Sequence, residues 1–146
     1  MRSITITMCV LSVIVAIFAN ESGPAFAQNG LNAMQHKPTP DWAIVNEFGG
    51  SKCFVDKNSI EKRGEIARAL VMYSLDPPGI DKRNDKKVAA MLNVEEYNLR
   101  TGTFRLQQIV FQYTDGTESE PLSTDPDWKP ATGGNQNTLK FIQGLK

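Results

Sequence analysis

Residues 88–113 read VAAMLNVEEYNLR, TGT, FRLQQIVFQY, and the assignment of 88–100 decides the fold. Val88, Leu92, Glu95 and Leu99 fall at helical spacing, but Glu95 interrupts the apolar stripe. Alternation instead sets Ala90, Leu92 and Val94 against Met91, Asn93, Glu95, Tyr97 and Leu99. The turn Arg100-Thr101-Gly102-Thr103 then leads into Phe104 to Tyr113, a run rich in β-formers. Two such runs around a short Gly-bearing loop predict a β-hairpin. Glu95 and Glu96 then point to opposite faces, so they do not form an acid/base pair. One is expected to face solvent and the other to lie near the sheet rim.

Working outward, Glu65 to Leu75 is apolar on nearly both faces and reads as a central strand. Asp76-Pro77-Pro78-Gly79 is expected to stop it. Asp41 to Glu47 and Lys52 to Asp56 read as strands on either side of the turn signal Gly49-Gly50. Asp56 to Ser59 and Glu61 to Gly64 read as turns. Downstream, Thr114 to Thr117 is a turn and Ser119 to Ser123 a short edge strand, which Pro121 suits. Asp125 to Asn137 reads as a loop, with Trp128 as a plug over one end of the core. Thr138 to Leu145 reads as a short amphipathic helix capped by Asn135 or Asn137. At this length it must dock on the sheet. The expected fold is α+β: an antiparallel sheet of five or six strands with a short C-terminal helix packed on it.

The chain has 146 residues, 40% hydrophobic and 22% charged, with 16 basic and 16 acidic residues and a formal net charge of zero. This composition fits one ordinary domain. It argues against a general nucleic-acid binder, which needs surplus cations. Residues 1–27 read as a secretory signal peptide. Arg2 is followed by the apolar run Ile4 to Ala19, and Ala25-Phe26-Ala27 precedes the expected cut. The run is short for a bilayer span, so membrane contact is expected only before cleavage. Cys9 sits too early in the run to be a lipidation site. Residues 28–40 read as a flexible linker carrying His36, the sole histidine, and residues 41–146 as the folded domain. The expected location is exported, periplasmic or associated with the cell surface.

Candidate chemistry is sparse. Nucleophilic catalysis needs a positioned base, and His36 lies in the lead. Cys53, the one cysteine left after cleavage, reads as a small core hydrophobe. Asp115, Glu118 and Glu120 match no calcium loop, and Gly133-Gly134 lacks the residues of a phosphate loop. No catalytic residue, cofactor or metal site is expected. The Lys82 to Lys87 loop could contact an anionic surface or an acidic partner, or simply be solvated. Lys82, Arg83, Lys86, Lys87 and Trp128 are therefore the candidate partner-contact residues. Leu70, Met72, Phe104 and Phe111 either line a small-ligand pocket or fill the core.

The order of several features resembles the surface-adhesin protein E family of small exported bacterial domains, over about residues 41–143. They are Trp42 opening a strand; Phe54-Val55-Asp56 followed by Ser59-Ile60; the strand Ala67 to Tyr73; Val94-Glu95-Glu96-Tyr97; the strand ending at Tyr113; and Trp128-Lys129-Pro130 before Gly133 and a closing helix. The resemblance implies an antiparallel sheet packed by a terminal helix and no catalytic site. Many members carry a cysteine just after the Glu-Tyr pair and another in the last turn of the closing helix. Here Asn98-Leu99 and Gly144 stand near those positions, so the domain would rely on its core. The expected function is an exported, non-enzymatic binding domain of the bacterial envelope, adhesin-like, meeting a protein or envelope component. The alternative is a small-ligand carrier or sensor in the periplasm. An enzyme using a carboxylate or Cys53 is the third reading.

Overall fold

The computed structural model describes residues 39–124 and 127–145. The expected signal peptide, most of the expected linker, Cys9 and His36 lie outside the described residues. Eight strands form one sheet: β1 (Trp42–Phe48), β2 (Ser51–Asp56), β3 (Glu61–Arg63), β4 (Ile66–Asp81), β5 (Lys86–Asn98), β6 (Thr103–Tyr113), β7 (Leu122–Ser123) and β8 (Lys129–Pro130). One helix, α1 (Gly133–Gly144), follows them. Every pairing is antiparallel, and the main path is β1-β2-β4-β5-β6-β7. The short β3 pairs with β4, and the short β8 with β6. The fold is thus the α+β arrangement expected from the alternation: six strands in the main path, two short additions, and a closing helix.

The hairpin read from residues 88–113 is present, with Tyr97 opposite Phe104 and Leu92 opposite Val110. Its register slips twice, between Val88 and Ala90, leaving Ala89 as the extra residue on β5, and between Val94 and Glu95, leaving Gln107 as the extra residue on β6. Such a bulge re-aims side chains locally.

Several boundaries differ from expectation: β8 lies within the stretch Asp125 to Asn137 read as loop, the edge strand read over Ser119 to Ser123 is only Leu122–Ser123, and three others shift. Asp76-Pro77-Pro78-Gly79 does not end β4, which continues to Asp81. Proline has no N–H to donate to a ladder, so residues 75–78 leave the pairing. It resumes at Gly79 opposite Val88. Glu61–Arg63, read as part of a turn, is strand β3, and the reversal falls at Gly64, whose φ is +59°. Helix α1 starts five residues before Thr138, at Gly133.

Register assigns the faces, because directly paired residues project to the same side. One face carries Cys53, Val55, Ala67, Ala69, Val71, Tyr73, Asn93, Glu95 and Tyr97. Helix α1 lies on this face. Asn135, Thr138, Leu139 and Ile142, at i, i+3, i+4 and i+7, form its inner stripe. Ile142, Val55, Ala67, Ala69, Val71 and Tyr97 are fully buried together. Ala67 and Ala69 are small enough to let the helix backbone approach. The opposite face carries Arg68, Leu70, Met72, Leu92, Val94 and Glu96.

Candidate functional site

The most chemically distinctive group in the described structure is the Glu95 carboxyl, 1% exposed between β5 and the first turns of α1. Its Oε1 accepts from Asn93 Nδ2 at 2.8 Å and from the Tyr73 hydroxyl at 3.3 Å. Its Oε2 accepts from Asn135 Nδ2 at 3.1 Å and from the Tyr97 hydroxyl. Asn135 Nδ2 also donates to the Tyr73 oxygen at 3.0 Å. The residue expected to cap α1 instead reaches across to the sheet. The N-cap position is Thr132, which makes no side-chain capping bond. Asn137, the other expected cap, donates to Asn46 Oδ1 on β1 at 2.9 Å.

All four donors to Glu95 are neutral. Burying an ion without a countercharge is costly even when it is hydrogen-bonded. Burial accordingly pushes the Glu95 carboxyl up from the ordinary glutamate range, against the opposing effect of its hydrogen bonds. Tyr73 and Tyr97 are also pushed up, by burial first and by the neighbouring Glu95 second. Cys53 lies at the same boundary, its Sγ 3.8 Å from Thr138 Oγ1. Burial pushes this thiol up to about 11, away from the reactive thiolate.

Glu96 serves the other face. It stands in register in the series Glu61, Arg68, Glu96, Arg105, one residue from each of β3, β4, β5 and β6. Acidic and basic residues alternate along this transverse row. Arg105 holds Glu96 Oε2 with Nε at 2.7 Å and Nη2 at 2.6 Å, and the bulged Gln107 adds Nε2 at 3.2 Å. The Arg105 guanidinium also lies 4.6 Å from the ring centroid of Trp128. Trp128, expected as a plug over the core, is 38% exposed. It is carried past the core by the short β8 pairing at Phe104–Lys129 and stacks on an ion pair. The expectation that one glutamate faces solvent and one lies near the rim is likewise corrected: both are buried, on opposite faces.

The candidate partner-contact residues do not form one surface. Lys82, Arg83, Lys86 and Lys87 lie at the β4–β5 turn, whereas Trp128 lies beside Arg105, opposite Glu96 at the far end of β5. At roughly 3.3 Å per residue the two places are about 30 Å apart along the strand. Two of the four cations are engaged within the domain. Arg83 pairs with Asp81 through Nε at 2.8 Å and Nη2 at 2.6 Å, and lies over the Phe111 ring. Lys86 meets Asp115 at 3.1 Å and lies over the Tyr113 ring. Lys82 and Lys87 are exposed.

Nor do Leu70, Met72, Phe104 and Phe111 line one pocket. Leu70 and Met72 project from the face opposite α1, while Phe104 and Phe111 pair with Tyr97 and Met91 on the helix face. In the acidic cluster, Asp115 pairs with Lys86 and Glu118 accepts from Gln112 at 3.0 Å. Among the described residues no group of three His, Cys, Asp or Glu is placed to hold a metal ion. The Glu95 constellation escaped sequence reasoning because its members come from two strands beyond the hairpin residues and from a helix turn read as loop. The alternating row Tyr97, Glu95, Asn93 on one strand face was its only local signal.

The chain matches no family model, no curated protein and no solved structure.

Proposed function

We propose that this protein is an exported, non-enzymatic binding domain of the bacterial envelope, adhesin-like in the manner of the family its sequence order resembles. The observation that carries this reading is the sealing of Glu95. The Glu95 carboxyl is 1% exposed. Each of its oxygens is engaged by two donors, and one of the four, Asn135, comes from α1 and ties the helix to the sheet. Cys53 is buried beside it. Their burial supports a role in holding the fold. The outward chemistry is of the kind that contacts macromolecules: Trp128 stacked on Arg105, and the tip bearing Lys82 and Lys87.

The deciding experiment is fractionation of the native host with mass spectrometry of the mature N-terminus, followed by binding assays on envelope and matrix fractions. The expected species begins at Gln28 in the periplasm or at the cell surface, and Trp128→Ala weakens capture of its partner. Retention in the cytoplasm with an intact N-terminus would overturn export. Turnover of ester, peptide or glycoside substrates that is lost in Glu95→Gln would overturn the non-enzymatic reading.

A further inference from the structure

Helix α1 is held by two kinds of contact: an apolar stripe of Leu139 and Ile142, and the polar cluster at its N-terminal end around Glu95. The second kind is conditional on a proton. Among the described residues, the titratable groups facing Glu95 are Cys53 from β2, Tyr73 from β4 and Tyr97 from β5. Helix α1 brings Asn135 and Thr138, and β6 brings Leu106 opposite Glu95 in register. None of these is a cation. Asn93 Oδ1 is buried without a hydrogen-bond partner, while Nδ2 of the same amide donates to Glu95 Oε1 at 2.8 Å. A half-turn of that amide presents an acceptor to a protonated carboxyl.

We propose that Glu95 is a proton-operated latch on α1, holding the helix down while the carboxyl carries its proton and releasing it when the proton is lost. Ionisation places a charge in the interior with no cation beside it, and lifting the N-terminal turns of α1, which carry Asn135 over the carboxyl, opens it to water. The lever is local. Thr132 is extended and Gly133 has φ +53°, so the chain can swing between β8 and the helix. A helix of this length has little stability of its own once undocked. Burial without a neighbouring cation sets the direction of the titration, against the opposing effect of the four hydrogen bonds. A carboxyl whose folded-state value is raised contributes fully below its unfolded value of about 4.3 and loses that contribution as pH rises through the folded value.

The test uses the full chain. Modification of Cys53 by 4,4′-dithiodipyridine, which reacts with thiols in acid as well as at neutral pH, is followed on its own peptide by mass spectrometry between pH 4.5 and 9, and each rate is divided by that of the urea-unfolded protein at the same pH. That ratio reads the opening of α1 free of the thiol's own titration. The expected ratio rises by up to about tenfold per pH unit until pH reaches the folded-state midpoint of Glu95 and levels off above it, and in Glu95→Gln it is flat. A wild-type ratio constant across the range, or the same slope in Glu95→Gln, would overturn the latch. If Glu95→Gln does not fold, the side-chain carboxyl ¹³C titration of wild-type Glu95 decides. A ratio that levels off at the midpoint of that titration supports the latch, and a midpoint at or below about 4.3, or a ratio that levels off elsewhere, overturns it.

Discussion

Glu95 and Glu96 are neighbours in the chain, buried on opposite faces of the same sheet, and solvated by opposite means. Glu95 is met by four neutral donors from two tyrosines and two asparagines. Glu96 is met by the Arg105 guanidinium and the bulged Gln107. Strand alternation alone separates the two carboxyls. One of them ties a helix to the sheet, and the other ties β5 to β6 and, through Arg105, to Trp128.

Glu96→Gln is therefore expected to destabilise the domain by about 1.5–3 kcal/mol, the range for a charge-assisted hydrogen bond removed from a buried position. Arg105→Lys gives up the two-nitrogen grip on Oε2 and the stacking on Trp128. Its loss should be a large part of the Glu96→Gln loss. Urea denaturation of the two single variants and the double variant checks this. If the single losses simply add, Glu96 and Arg105 do not act as a pair.

The two ends of α1 predict opposite responses to the same substitution. A Cβ on Gly144 meets nothing within 4 Å, so Gly144→Ala should gain roughly 0.5 kcal/mol of helix propensity. A Cβ on Gly134 would lie 3.2 Å from Tyr73 Cε1 and 3.7 Å from Cys53 Sγ. The Tyr73 ring is held by Asn135 and Glu95 and yields poorly. Gly134→Ala should lower the melting temperature where Gly144→Ala raises it. Equal stabilisation by both would mean that the ring moves freely.

Those glycines also mark where the sequence was hardest to read. The strands were legible because alternation records which side is buried, and the hairpin of residues 88–113 is present with its turn in place. Gly133-Gly134 reads as loop punctuation, yet it opens the helix, because the backbone must come close to Tyr73. Asn135 and Asn137 have the composition of caps, but their partners are Glu95, Tyr73 and Asn46 on other elements. Alternation placed Glu95 and Glu96 on opposite faces and could not say what covers each. Pro77 and Pro78 read as a stop because a local rule does not anticipate pairing that resumes beyond them.

Cys53 is predicted to be chemically silent in the folded protein. It is 3% exposed, and burial pushes its thiol up to about 11, so little thiolate exists near neutrality. At any one pH, iodoacetamide should label it far more slowly in the folded protein than in urea. Cys53→Ser should leave partner binding unchanged, whatever it costs in packing. A loss of binding with the fold intact would make the thiol an acting group.

Acid should loosen the opposite end of the hairpin. Asp81 accepts from Arg83 through both carboxylate oxygens and from the Tyr113 hydroxyl at 2.7 Å. The Arg83 hydrogen bond, followed by that of Tyr113, holds its carboxyl far below the usual aspartate range. A carboxyl depressed on folding contributes above its unfolded value of about 3.9 and loses that contribution as pH falls through the folded value. Asp81 thus works in the sense opposite to Glu95. Thermal denaturation between pH 2.5 and 5 should show wild-type stability declining below about pH 4, with part of that decline absent in Asp81→Asn. The variant should also be less stable than wild type at pH 6, since its amide cannot match the carboxylate's grip on Arg83. Identical acid profiles for the two proteins would show that Asp81 does not set the acid limit and would move attention to Asp115, which Thr117 and Lys86 hold down at about 2.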